Sequence, residues 1–411
     1  TFNGGTLTSG GDLNLLAGSG LTLGTTELTQ AAAVSTKHLS TSGSADINYG
    51  TTVSVGGNAT LAALGGDLKT AALTLTADGD VSLSAAKTLD LGSATDSVSN
   101  SISGSKSGFM THSRFSNSLG TTTENGSSVA AGGSLTATSG GDMSVAGMAG
   151  AAGDVTLLSG GAFTERATQS TLDMSASHHV AGFHMSTQGA SGTVGYGSRT
   201  DKSSVSETQW TPSVIASTGG NTTIVSRGAL KVDGSAVSAA KDLALSGSSV
   251  AFRAEQNSTT QNQSHKSTSI GVTAGVSPDS MVGEAIDGSL SASKSGNGTL
   301  AALGGIQTGM TEGMSALGGA IANNLVGAGV SVGFSTSKSS STQTTTTVQG
   351  ATASAGGTLS VLARGDDATD MSNGNLSAVA AQLAGQDVVL AASKGIDLSA
   401  GWNTTHSESR S

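Results

Sequence analysis

The sequence predicts an all-β chain: a parallel β-helix (β-solenoid) with projecting β-hairpin excursions. Three observations carry this. A short strand unit recurs along the whole length, small residues replace the large ones of a globular core, and Ser/Thr-rich stretches interrupt the units at intervals.

The unit is a corner ending in Asp, followed by two apolar residues flanking one outward residue. It occurs as Gly11-Asp12-Leu13-Asn14-Leu15, Gly79-Asp80-Val81-Ser82-Leu83, Gly141-Asp142-Met143-Ser144-Val145 and Gly153-Asp154-Val155-Thr156-Leu157. It returns as Lys241-Asp242-Leu243-Ala244-Leu245 and Gln386-Asp387-Val388-Val389-Leu390, with a variant at Gly395-Ile396-Asp397-Leu398. Period 2 inside each doublet marks a strand with one buried face. Such short strands cannot stand alone, but stacked coils pair them into continuous ladders with apolar residues inside. The doublets Leu73/Leu75, Val81/Leu83 and Leu89/Leu91 are further short strands at equal spacing. Gly is expected to supply left-handed corners, and Asp and Asn to hydrogen-bond nearby amides.

A larger unit sits above this one. Gly-Gly pairs open new blocks at Gly56-Gly57, Gly132-Gly133, Gly219-Gly220 and Gly356-Gly357. The expected division is coils at 1–92, a hairpin excursion at 93–129, coils at 130–163, a hairpin excursion at 164–213, coils at 214–254, a long hairpin excursion at 255–353 with a Gly/Ala-rich middle, and coils with a C-terminal edge at 354–411. Ser269–Val276 and Val330–Ser335 alternate and read as partners in the long hairpin. Ala181–Met185 with Thr193–Tyr196 read as a shorter one, and Phe109 and Phe115 fall in one shorter still. Met281–Val326 is a candidate for partial helix, opposed by its many Gly.

Composition bounds the function. The 411 residues include 61 Gly and 2 Pro, with 3% aromatic and 11% charged, against about 25% charged in ordinary domains. A 36% hydrophobic fraction in alternating runs favours folded β structure over disorder. Net charge is −10, and the 18 Lys and Arg are scattered along the sequence. With no basic stripe, nucleic acid is not an expected partner. Cysteine is absent, which suits a chain exported unfolded. The sequence opens at Thr1 without a signal peptide, which predicts an internal segment of a longer protein. The longest nearly apolar stretch, Leu317–Val330, is broken by Asn323 and Asn324 and is too short for a spanning helix.

The Asp-Val-x-Leu and Asp-Leu-x-Leu doublets, grouped by Gly-Gly and broken by Ser/Thr-rich excursions, resemble haemagglutinin repeats. These belong to filamentous haemagglutinins and contact-dependent growth inhibition effectors. The resemblance covers almost the whole chain and is to the downstream repeats, not the secretion domain. With strand twist, it implies a right-handed β-helix. It also implies a two-partner-secretion exoprotein, passed through a dedicated outer-membrane transporter and displayed as a cell-surface filament. In the growth-inhibition members this region is associated with delivering a C-terminal toxin across the target cell's outer membrane. In the adhesins it is the shaft that supports attachment. The family's Val-Glu-Asn-Asn pretoxin motif is absent from these residues, so no toxin activity is assigned to them.

The residues that invite chemistry have simpler readings. A β-helix polysaccharide lyase or hydrolase needs convergent acids in a groove, whereas most Asp residues here open doublets. His178, His179 and His184 cluster without further metal ligands, so a solvated loop is the simpler reading. Gly65-Gly66-Asp67-Leu68 and Gly140-Gly141-Asp142-Met143 lack the second step of a calcium-binding nonapeptide. Gly304-Gly305 and Gly318-Gly319 are not followed by the Lys-Ser/Thr of a phosphate loop. No catalytic, cofactor or metal residue is therefore expected, and no enzyme. Trp210 and Trp402 are expected at coil edges. Phe183, Met185 and Tyr196 are expected to pack their hairpin back onto the stalk, with contact to a target surface as the alternative. The alternation from Ile270 to Phe334 also fits outer-membrane hairpins but lacks an aromatic girdle. The expected partners are the export transporter and a target-cell surface or outer membrane.

Overall fold

A computed structural model describes residues 1–188, 191–274, 330–366 and 373–411. The candidate helix at 281–326 and the paired glycines at 304–305 and 318–319 lie outside the described residues.

The chain is a parallel β-solenoid. Each coil has three short strands, one per face, as in Thr74–Ala77, Val81–Ala85 and the opening of Leu89–Gly108. The three equally spaced doublets are thus the three faces of one coil, and all six side chains are buried. One face is a wholly parallel sheet of nine strands. Its interior ladder runs Leu15, Leu61, Leu83, Ala137, Leu157, Ile224, Leu245, Val361 and Leu390, paired in that order. Alternation inside a strand and identity between coils together make this ladder.

The corners show why Gly-Gly-Asp recurs. Asp12 Oδ1 accepts the Asn58 N–H of the next coil at 2.7 Å, and Asn58 Oδ1 accepts the Asp80 N–H at 2.8 Å. Asp80 accepts from Ser134 at 2.7 Å, Asp154 from Asn221 at 2.7 Å, and Asp242 from Thr358 at 2.8 Å. The Asp side chains therefore stitch coil to coil rather than closing their own turns. The glycine in the next coil leaves room for the carboxylate: a Cβ at Gly133 would lie 2.1 Å from Asp80 Oδ1, and one at Gly220 2.3 Å from Asp154 Oδ1. The expectation of left-handed corners is corrected at these pairs. The described glycines with positive φ are elsewhere, such as Gly147 and Gly234. Close approach, not backbone handedness, requires glycine at Gly133 and Gly220.

The excursions all leave the third face and return to the first. They occur on alternate coils, as hairpins 26–49, 93–126 and 168–211 and as the paired strands Glu255–Ala274 and Val330–Gln349. The first lies within 1–92, a stretch the sequence reads as coils alone. The hairpins are not separate projections either. Neighbours pair antiparallel, Leu39–Tyr49 with Leu89–Gly108, Thr111–Ala131 with Thr168–Gln188, and Ser191–Thr211 with Glu255–Ala274. Thr404–Arg410 adds to Val330–Gln349. The result is one lateral sheet, a fin running alongside the solenoid.

Spacing explains the alternation. A hairpin adds two strands to the fin, about 2 × 4.8 Å, and two coils climb the same distance. A hairpin on every coil would outrun the solenoid. Beyond their roots the fin strands pack edge to edge with one another. With little core of its own, the fin relies on backbone pairing and cross-strand hydroxyl contacts, such as Ser42–Ser101 at 2.8 Å, Ser118–Ser175 at 2.7 Å and Thr122–Thr171 at 2.6 Å. The Ser/Thr bias of the excursions follows from this.

Candidate functional site

The coils offer little accessible chemistry. Glu165 sits in an interior ladder between Val145 and Val232, fully buried, with neither carboxylate oxygen hydrogen-bonded. Burial, aided by the nearby Asp233 charge, pushes its carboxyl well above the usual range. Burial also raises Asp233, whose contact with Arg253 is 4.0 Å long. The corner groove at Asp142 holds residues already engaged: Asp142 accepts the Ala162 N–H at 2.8 Å, and Asp366 pairs with Arg364 at 2.8 Å.

At the fin's root, Arg166 donates to Glu124 at 2.6 Å, while Gln169 N–H donates to the other carboxylate oxygen at 2.9 Å. Burial would raise Glu124, but these bonds and that from Ser93 outweigh it and hold its carboxyl low. This cluster ties the 93–126 hairpin to the next one.

The fin's outer end is different. Phe183 pairs with Tyr196, Tyr196 with Ile270, and Ile270 with Phe334. Directly paired residues point to the same side of a sheet, so these four form one row on one face. All are exposed, Phe334 by 71%. Phe183 and Tyr196 meet edge to face at 5.4 Å. Beside them, Phe109 and Met110 make the two-residue turn between Gly108 and Thr111, with Phe109 91% exposed and Met110 at φ 65°. Such turns ordinarily use Gly or Asn at positive φ, so Met110 there is costly.

Four residues inward, about 13 Å along the strands, the same face carries a second row. Arg114 pairs with His179, His179 with Thr200, Thr200 with Lys266, and Lys266 with Lys338. Lys202 lies in the next row on that face, against Ser177 and Ser264. Lys37, His38, Arg114, His179 and Lys202 line one shallow groove. Between the two rows this face carries no Asp or Glu among the described residues. Asp201 points to the opposite face, paired with Arg199 and His265 at 2.7 Å each. Burial would raise the Asp201 carboxyl, but these two bonds outweigh it and hold it low.

These rows correct two expectations. Phe183 and Tyr196 do not pack back onto the stalk; they lie far out on the fin. Residues scattered in sequence also gather into a basic row, because hairpin register aligns them. No single segment holds the row, so only the pairing of hairpins reveals it. His178 and His179, adjacent in one strand, face opposite sides, and His179 bonds Thr200 at 2.8 Å. The side chains of His184 and Met185 lie outside the described residues. Trp210 is on a fin strand near the root, where its backbone N–H donates to Asn257 Oδ1 at 2.6 Å. Trp402 is 78% exposed between the last coil and the last fin strand, so it covers no coil.

A solenoid of stacked coils with a lateral fin defines a structural, repeat-built class of protein. The chain belongs to the hemagglutinin repeat family, which matches residues 30–113, 108–217, 194–311 and 332–411. It is 30% identical over 205 residues to the 16S rRNA endonuclease CdiA of Enterobacter cloacae, covering 47% of this chain and 6% of that protein. It is 36% identical over 165 residues to the toxin CdiA of Yersinia pestis, covering 38% of this chain and 5% of that protein. It is 35% identical over 196 residues to the deoxyribonuclease CdiA of Yersinia pseudotuberculosis, covering 45% and 18%. The chain thus spans less than a fifth of each of these relatives. No solved structure matches it.

Proposed function

We propose that the chain is a structural stalk of a secreted bacterial surface filament, positioning or delivering a C-terminal toxin in contact-dependent growth inhibition. The supporting observation is the division of labour in the fold. Coil interiors are apolar ladders and corner acids are spent on coil-to-coil bonds, so specific contact falls to the fin. The relatives' names, toxin and nuclease, point the same way, and those proteins extend far beyond the shared repeats. The partners on this reading are an outer-membrane transporter during export and a target-cell surface afterwards.

Co-culture tests it. A producer whose full-length protein lacks this region should still display the protein but no longer inhibit susceptible neighbours. Unchanged inhibition would refute the stalk role. Attachment to neighbours without any inhibition by the intact protein would replace it with an adhesin shaft. Enzymatic activity is expected to lie elsewhere, so the purified chain should leave polysaccharides intact. Measurable turnover would overturn that part.

A further inference from the structure

We infer that the outer end of the fin docks on an anionic, phosphate-bearing lipid surface, with the Phe183–Tyr196–Ile270–Phe334 row toward the acyl chains and the Arg114–Lys266–Lys338 row at the headgroups. This rests on the reading of the fin as the contact surface, and it names the partner.

Three observations converge. The apolar row is exposed on one face, in the outer part of a sheet whose inner stretches are Ser/Thr-rich. An apolar edge backed by a cationic band matches the layering of an anionic membrane, where aromatic residues sit at the interface and basic residues meet headgroup phosphates. Lys266 stands directly opposite Lys338. Like charges in that position destabilise a sheet, and the described acids between the two rows on that face number none. The pair gains by meeting an external anion. Finally, Phe109 and Met110 form an exposed turn whose second residue, at positive φ, is better served by Gly or Asn. Met110, whose carbonyl accepts the Phe183 N–H at 2.8 Å, extends the apolar row to the next hairpin tip.

Charge selects this occupant over a second copy of the chain, because two such faces would oppose cation to cation. The apolar row selects lipid over nucleic acid or a soluble anionic polymer, which would leave it in water.

Flotation of the 411-residue chain with vesicles decides the matter. Binding is expected to phosphatidylcholine vesicles containing phosphatidylglycerol, not to phosphatidylcholine alone, and should weaken as salt rises. The triple variant Arg114→Ser, Lys266→Ser, Lys338→Ser should bind on the order of 100-fold more weakly, from the contribution of each basic residue near an anionic surface. Phe334→Ser with Ile270→Ser should also release the vesicles. Lys106→Ser with Arg199→Ser, on the opposite face, should retain most of the binding. Circular dichroism matching the parent checks that each variant folds. Equal binding to neutral vesicles, no binding to either, an unaffected triple variant, or tighter binding to lipid-free DNA or dextran sulfate would each overturn the inference. Vesicle binding needs no toxin, so failure here is separate from failure of the delivery reading in co-culture.

Discussion

Gly133 and Asp80 act as one unit although they lie in different coils. The carboxylate occupies the space a Cβ would take and accepts the neighbouring Ser134 N–H. Gly133→Ala should therefore destabilise by about 1–3 kcal/mol, read as a lower urea midpoint. Adding Asp80→Ala should recover part of that loss, because the clash goes with the carboxylate. Strictly additive losses would show that the two residues are independent. Glu165 gives a second test. Its carboxyl is held neutral by burial where the unfolded chain would ionise it. The stability it contributes is full below the ordinary glutamate pKa of about 4.3 and is lost as pH rises toward its raised folded-state value. Glu165→Leu should thus stabilise by about 1–3 kcal/mol at pH 7, with the gain shrinking toward pH 4. A gain that stays constant with pH would refute the assignment.

At the scale of elements, the unit of construction is two coils and one hairpin. Deleting residues 147–235 removes one such unit and joins a third-face strand to a first-face strand in the normal way. Both sheets then close over the gap. Deleting only 168–211 leaves the coils in place but opens a gap of about two strand spacings in the fin. The first variant should melt close to the parent, whereas the second should lose cooperativity and expose unpaired fin edges. Thermal melts with light scattering distinguish them. The reverse order of stability would show that the fin and solenoid are not geometrically coupled. The fin's long strands escape aggregation through their polar faces, which is also why a row of exposed aromatics stands out on them.

For the whole molecule, nine stacked strands span about 38 Å. Single fin strands such as Thr168–Gln188 are longer than that, at about 3.3 Å per residue. The described part of the chain is therefore a broad slab rather than the slender rod that coils alone imply. Small-angle scattering should give a flat particle with its largest dimension set by the fin. A maximum dimension near that of nine coils would mean the hairpins fold back on the stalk.

The sequence by itself determined the coils. Period-2 doublets such as Val81/Leu83 and Asp-led corners are local signals, written within a few consecutive residues and repeated often enough to define a parallel β-helix. It also marked the larger excursions, though it missed the hairpin at 26–49, whose Ala-rich strand lacks the Ser/Thr bias of the others even though Gly56-Gly57 follows it as the other Gly-Gly pairs follow theirs. Only the tertiary structure decided that Gly133 serves a carboxylate in another coil, that Glu165 faces inward, and that the hairpins fuse. The physical reason is register. Pairing Arg114 with His179 and Lys266 with Lys338 depends on where each hairpin leaves its coil, and the rise of two coils per hairpin fixes that. What read as scattered charge and isolated aromatics in a repetitive chain is, after folding, one apolar row and one basic row on a single face.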